Sequence, residues 1–206
     1  MIDIIVLGAA AGGGFPQWNS NAPGCRRARA GDPAAPPRTQ ASIAISGDGK
    51  HWFVVNASPD LRTQINQTPA LHPREGLRST PIAGVILTGG EIDGITGLFT
   101  LREGQPFTLL ATAEVMSVLD ANPIFEALNR EIVTRTAIVP DQPFPLRLTD
   151  GTPAGLTIVP SWCRARCRFM PNPDPTPRPS AKTGRPWGSK YPMAATGCVS
   201  CRAARA

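Results

Sequence analysis

Three short stretches of this chain carry the residue types that do chemistry. The first is Thr88-Gly-Gly-Glu-Ile-Asp93, where Glu91 and Asp93 stand two positions apart. On an extended loop two such carboxylates point the same way, and the pair would bind a hard divalent cation or share a proton. The second is Asn56-Ala-Ser-Pro-Asp60, which offers an amide, a hydroxyl and a carboxylate at Asn56, Ser58 and Asp60. The third is the run from Gly8 to Gly14, in which no side chain exceeds a methyl, followed by Phe15, Pro16 and Trp18. Gly12, Gly13 and Gly14 let the backbone approach a ligand closely, and Phe15, Pro16 and Trp18 give the loop a stiff lip. These positions are the candidate site: Glu91 and Asp93 for acid, base or metal work, and Gly12, Gly13, Gly14, Trp18, Asn56, Ser58 and Asp60 for holding a ligand. The plainer alternative, solvated loop acids and a tight strand crossover, stays open at this level.

Several chemistries are excluded by what is missing. A dinucleotide-binding loop needs Gly-x-Gly-x-x-Gly opening a helix; here Ala10 takes the second glycine's place and Pro16 falls where the helix would run. Only two histidines occur, His51 beside a turn and His72 in a proline-flanked loop, and their spacing fits no zinc site. Neither a Ser-His-Asp nor a Cys-His arrangement can be built from the residues available, and hydrolytic zinc chemistry, which leans on several imidazoles, is not expected.

The elements that must position these groups follow from pattern. Ile4 to Leu7 and Ile82 to Thr88 are apolar runs of buried-strand character. Gln40 to Ser46 and Trp52 to Asn56 flank Gly47-Asp48-Gly49-Lys50 as a hairpin. Helices are expected at Asp60 to Gln67, Ile95 to Leu101, Ala113 to Asp120 and Pro123 to Arg130, and strands at Phe107 to Ala111, Leu146 to Leu148 and Leu156 to Val159. Asn21 to Pro37, rich in Pro, Gly, Ala and Arg, reads as an extended surface excursion. Hairpins followed by alternating strands and helices imply an α/β sandwich with mixed sheets. The three candidate stretches then lie beyond strand ends, where α/β folds collect their ligands.

The 206 residues carry a net charge of +6, and its distribution matters more than its size. Residues 161–206 hold nine Lys and Arg against one Asp, so the first 160 hold twelve basic and fourteen acidic side chains. A faintly acidic body with a basic tail is not the profile of a nucleic-acid-binding domain. No apolar stretch reaches the length of a membrane span, and no basic segment precedes the first apolar run, so a cytoplasmic protein with no nucleic acid partner is expected.

Four motifs together carry a family resemblance: Leu7 through Asn19, Pro37-Arg-Thr-Gln-Ala-Ser-Ile43, Asn56 through Asp60, and Leu87-Thr88 with Ile92-Asp93 and Thr96-Gly-Leu98. Over residues 1 to about 160 the chain resembles the coenzyme PQQ synthesis protein B family. That resemblance implies a metallo-β-lactamase-like αββα sandwich. It also implies a part in making pyrroloquinoline quinone (PQQ), with PQQ or its peptide-derived precursor and other PQQ-pathway proteins as partners. The family role is either carriage of the cofactor or precursor toward the periplasm or metal-dependent hydroxylation of the precursor, with a divalent metal, iron or zinc, in intact members. Set against the superfamily's His-x-His-x-Asp-His loop, the matching positions here read Gly89, Glu91, Asp93 and Gly94, so only Asp93 remains as a ligand. A family cysteine cluster corresponds to Ser20, Ala22 and Cys25, and one thiolate cannot hold a structural zinc without partners.

Beyond Pro160 the composition changes: seven prolines, four of the five cysteines and the single tyrosine lie there. Cys163, Cys167, Cys198 and Cys201 could form a four-thiolate zinc module, which makes a zinc or nucleic-acid module, or a non-functional remnant, the competing readings. A back-translation of 161–206 shifted by one base instead alternates like a strand pair around a Gly-Gly turn and resembles the family's continuation. A single-base slip near Pro160 and a largely disordered 161–206 tail are therefore expected, leaving an incomplete sandwich that exposes apolar faces. Resequencing the codons for Thr157 to Cys167 checks this: a missing or extra base is the expected outcome, and an unchanged reading returns weight to the tail's cysteines.

Overall fold

The computed structural model describes residues 1–162 and 199–205. Two β-sheets pack face to face, with helices over the outer face of the larger one. The larger sheet has six strands in sequence order: β1 (Asp3–Gly8), β2 (Ser42–Ser46), β3 (Trp52–Val55), β4 (Ile82–Ile86), β5 (Phe107–Ala111) and β6 (Val133–Ala137). β1, β2 and β3 are antiparallel neighbours, whereas β3, β4, β5 and β6 run parallel, so the sheet is mixed as expected. The second sheet, β7 (Phe144–Arg147), β8 (Pro153–Trp162) and β9 (Val199–Arg205), is antiparallel.

The central strands are apolar on both sides because both sides are covered. In β3, Phe53 and Val55 enter the core between the sheets with Ile45, Ile86, Leu110, Leu146, Leu156 and Ile158. Trp52 and Val54 face the other way, under α2 (Leu61–Gln67) and α4 (Ala113–Asp120), among Leu61, Leu98, Leu109 and Leu119. Continuous apolar strands of this kind are what a sheet buried on both faces requires. A register shift between Trp52 and Phe53 sets Gly84 opposite Phe53. A Cβ at Gly84 would lie 2.7 Å from the Phe53 ring and 3.0 Å from the Thr108 carbonyl oxygen, so this contact excludes any larger residue.

Several expectations change in detail. Ile4 to Leu7 is an edge strand, not a buried one: Ile4 is 61 % and Val6 66 % exposed. Ile5 and Leu7 pack toward the helices, so alternation turns Ile4 and Val6 to the inner face, with Ile2. The expected excursion at Asn21 to Pro37 contains a helix, α1 (Pro23–Arg29). Proline at its first turn and Arg26, Arg27 and Arg29 in its last favour that helix, a signal masked by the surrounding prolines. The Ile95 to Leu101 helix is a single α-turn, α3 (Ile92–Ile95), running into a 3₁₀ segment at Thr96–Leu101. Pro123 to Arg130 shortens to a 3₁₀ turn at Pro123–Ala127. β6 was not foreseen; it is a five-residue edge strand with only Val133 buried. Most of the expected disordered tail lies outside the described residues, as do Cys163, Cys167 and Cys198; Val199–Arg205 differs, pairing along β8 from Leu156 to Trp162.

Gly84→Ala should lower the unfolding free energy by about 1–3 kcal/mol, the usual cost of overfilling a packed core. Urea unfolding followed by circular dichroism checks it.

Candidate functional site

The loops beyond β1 and β3 and the segment leading into β2 are laced together by one buried side chain, Gln40, 6 % exposed. Its backbone N–H donates to Asp60 Oδ2 at 2.9 Å, and its amide nitrogen reaches the same oxygen at 3.3 Å. Its amide oxygen accepts from Gly13 N–H at 3.1 Å. Gln64 on α2 completes the lacing by donating to the Gln40 carbonyl at 2.8 Å and to Thr39 Oγ1 at 3.1 Å. Thr39 Oγ1 donates in turn to the Leu7 carbonyl at 2.9 Å. Gly8 runs so close to this cluster that a Cβ there would strike the Gln40 carbonyl, the Thr39 hydroxyl and the Gln64 amide. The glycine is required by close approach, not by backbone angle.

This lacing shapes a cleft of about 600 Å³ beside β1. Gly13, Gly14, Phe15 and Pro16 form one wall, Arg38 and Thr39 a second, and Asp60, Thr63 and Gln67 a third. Of the expected ligand-holding residues, the structure brings Gly13, Gly14 and Asp60 to this cleft. Gly12 lies beside it against the Asp93 carboxylate, close enough that a Cβ at Gly12 would collide. Trp18 stands 83 % exposed and away from the lining. Asn56 has φ of 61° and exchanges hydrogen bonds with Thr88: its amide donates to Thr88 Oγ1 at 2.8 Å, and its oxygen accepts from Thr88 N–H at 2.9 Å. Ser58 is fully buried and donates to Gln64 Oε1 at 3.1 Å, serving the lacing from inside.

The carboxylates do not form the pair that an extended loop would give. Glu91 is the residue before α3 and Asp93 lies in its first turn, and on a helical path two positions diverge by about 200°. Glu91 accordingly folds back over Gly89 while Asp93 turns to Gly12. Gly94 adds no donor; it packs beside Asn56. Among the described residues no three His, Cys, Asp or Glu side chains gather into a metal-binding group. A divalent metal of the family's kind therefore does not fit the residues at Gly89, Glu91, Asp93 and Gly94. The Cys25 thiol is buried. Hydrogen bonds from the Ser20 hydroxyl and at Gln17, then the charge of Arg29, hold it below the ordinary thiol range.

Sequence reading missed Gln40, Gln64 and Arg38. Arg38 and Gln40 fall inside the motif at residues 37–43, but nothing in that motif or in the Leu61–Gln67 pattern marks a buried amide or a cleft wall.

The chain is similar to known proteins in family profile, in sequence and in solved structure. The family profile described as Beta-lactamase superfamily domain matches residues 51–176. A coenzyme PQQ synthesis protein B from Gluconacetobacter diazotrophicus is 71 % identical over 188 residues, covering 91 % of this chain and 61 % of the relative. One from Gluconobacter oxydans is 60 % identical over 159 residues, covering 77 % of this chain and 52 % of the relative. The chain thus spans between half and two thirds of the length of these relatives. Among solved structures, Zn²⁺-bound PqqB from Methylobacterium extorquens superposes with a TM-score of 0.72 at 45 % identity, covering 78 % of this chain and 55 % of that one. A diphosphatase of the PhnP family, at 21 % identity and a TM-score of 0.57, shares the fold.

Gln40→Leu should cost about 1–3 kcal/mol of stability by leaving Gly13 N–H and the Asp60 carboxylate short of partners. Gln40→Glu sets a second carboxylate against Asp60 and raises the pKa of one of them. Its destabilisation should be full at neutral pH and should fade as acidification to about pH 5 and below restores a proton. Thermal melts of both variants between neutral pH and that limit check the prediction.

Proposed function

The chain belongs to the β-lactamase superfamily and, within it, to the coenzyme PQQ synthesis protein B family, and from that premise we infer that it serves PQQ biosynthesis by binding PQQ or its peptide-derived precursor. The observation that carries this reading is the cleft beside β1, walled by the glycine lip, Arg38 and Asp60. PQQ is a planar quinone bearing carboxylates. A guanidinium suits a carboxylate by charge-assisted hydrogen bonding, and the Phe15 and Pro16 wall offers a flat apolar surface. The bonds from Gln40 hold that wall before any ligand arrives, which lowers the ordering cost of binding.

Carriage fits these residues better than metal-dependent hydroxylation. An oxidation of the precursor at a bound iron or zinc needs several ligands and open positions, and Glu91 and Asp93 point apart. In the carrier reading the protein takes the cofactor or precursor in the cytoplasm and hands it on toward the periplasm, with other PQQ-pathway proteins as donors or acceptors. Among the described residues no helix is long and apolar enough to cross a membrane.

Titration of the protein with PQQ, followed by calorimetry, should show saturable one-to-one binding. Arg38→Ala should weaken it about tenfold, the loss of one hydrogen bond to a charged group. Absence of saturable binding, or an Arg38→Ala variant that binds as well as the parent, overturns the reading.

A further inference from the structure

The lip of the cleft is held from outside by α1, and the contacts are specific. Arg29, the last residue of α1, donates from Nη1 to the Ser20 carbonyl at 2.6 Å. From Nη2 it donates to the Gln17 carbonyl at 2.5 Å and to the Trp18 carbonyl at 3.4 Å. One guanidinium thus gathers three carbonyls of one loop, those of Gln17, Trp18 and Ser20. The Cys25 thiol, one turn earlier on the same helix, meets the Ser20 hydroxyl and the Gln17 main chain. The Phe15 ring lies over Gly24, at ordinary contact distance from where a Cβ would stand, 3.7 Å. Phe15 is anchored on its other side by a backbone pair with Arg38, N–H to carbonyl at 2.8 and 2.7 Å. From Gln17 to Ala22, though, the loop's own bonds are few: Ser20 N–H to the Gln17 carbonyl at 3.1 Å and Ala22 N–H to Ser20 Oγ at 3.3 Å.

A cation that collects carbonyl oxygens from a loop does the mechanical work of a structural metal, and a guanidinium does it with a rigid fork of donors. We propose that Arg29 is the positioning residue of this lip: its guanidinium, with no metal, sets the Gln17–Ser20 stretch and through it the Phe15–Pro16 wall of the cleft. The residues around the lip support a metal-free device. Ser20 and Ala22 offer no thiolate beside Cys25, and no metal-binding group of three occurs among the described residues. The consequence for ligand binding rests on the reading that the cleft holds PQQ or its precursor; the positioning of the lip does not.

The test is amide hydrogen exchange on the full chain, read at Ser20 and Ala22 and compared with the core amides of β3 to β5. In the parent protein, protection at Ser20 and Ala22 is expected to survive excess EDTA. Arg29→Ala should speed exchange there about tenfold while the core amides keep their rates, the signature of a local opening. Arg29→Lys, which keeps the charge but not the fork, should fall between the two. PQQ affinity should follow the same order, weakest in Arg29→Ala. Loss of protection in the parent on adding EDTA, unchanged exchange in Arg29→Ala, or equal acceleration of the core overturns the proposal. If PQQ binds none of the proteins, the binding reading fails while the exchange data still decide the role of Arg29.

Discussion

The buried amide of Gln40 is the constraint on which the rest of the site depends. A glutamine taken out of water must find partners for its donors and its acceptor, or it destabilises the fold. Here those partners come from two other loops, Gly13 after β1 and Asp60 after β3. Satisfying one side chain therefore fixes three segments far apart in sequence at a single point. Gln64 and Ser58 extend the arrangement into α2, and the cleft walls inherit their position from it.

The scaffold beneath is a mixed sheet whose middle strands are buried twice over. Phe53 against Gly84 shows how tightly the inner layer closes at the centre, and Ile4 and Val6 show that it does not close at the β1 edge. The inner core is built from the second sheet's Leu146, Leu156 and Ile158, which stand over the central strands rather than over β1. The cleft thus lies at the rim of a core, between a rigid centre and an open edge. That location suits ligand binding better than the packed interior does.

The superfamily fold is present, but among the described residues the loop after β4 carries none of the superfamily's imidazoles. Where imidazoles would converge on a metal, this chain has glycines, and its two acids begin a helical turn that sends them apart. Hydrogen bonds to backbone carbonyls and amides take over the ordering of the loops, from Gln40 on one side of the lip and Arg29 on the other. Function belongs to such local constellations rather than to the fold that carries them.

The apolar runs at Trp52–Val55, Ile82–Ile86 and Phe107–Ala111 and the helix at Ala113–Asp120 were legible from pattern alone. Their patterns are local: a strand buried on both faces and an amphipathic turn each announce themselves within a few residues. The glycine stretch and Asp60 stand out in the sequence as candidate positions, and folding brings Gly13, Gly14 and Asp60 to one cleft. α1 was not, since prolines on both sides of Pro23–Arg29 hide a helix that is stabilised by what it touches. The convergence of Glu91 and Asp93 was expected from spacing and failed, because spacing fixes direction only once the backbone path is known, and a helical start replaced the extended loop. Gln40 shows in the sequence only as a polar residue heading an apolar strand, and nothing in the pattern around Gln64 or Arg29 announces the bonds they make. Sequence by itself determined the central strands and the backbone freedom of the glycine loop, through local hydrophobic period and the absence of side chains. Only the tertiary structure decided which polar groups meet, because a buried hydrogen bond is chosen by whatever partner folding brings within 3 Å or so, and sequence distance says nothing about that.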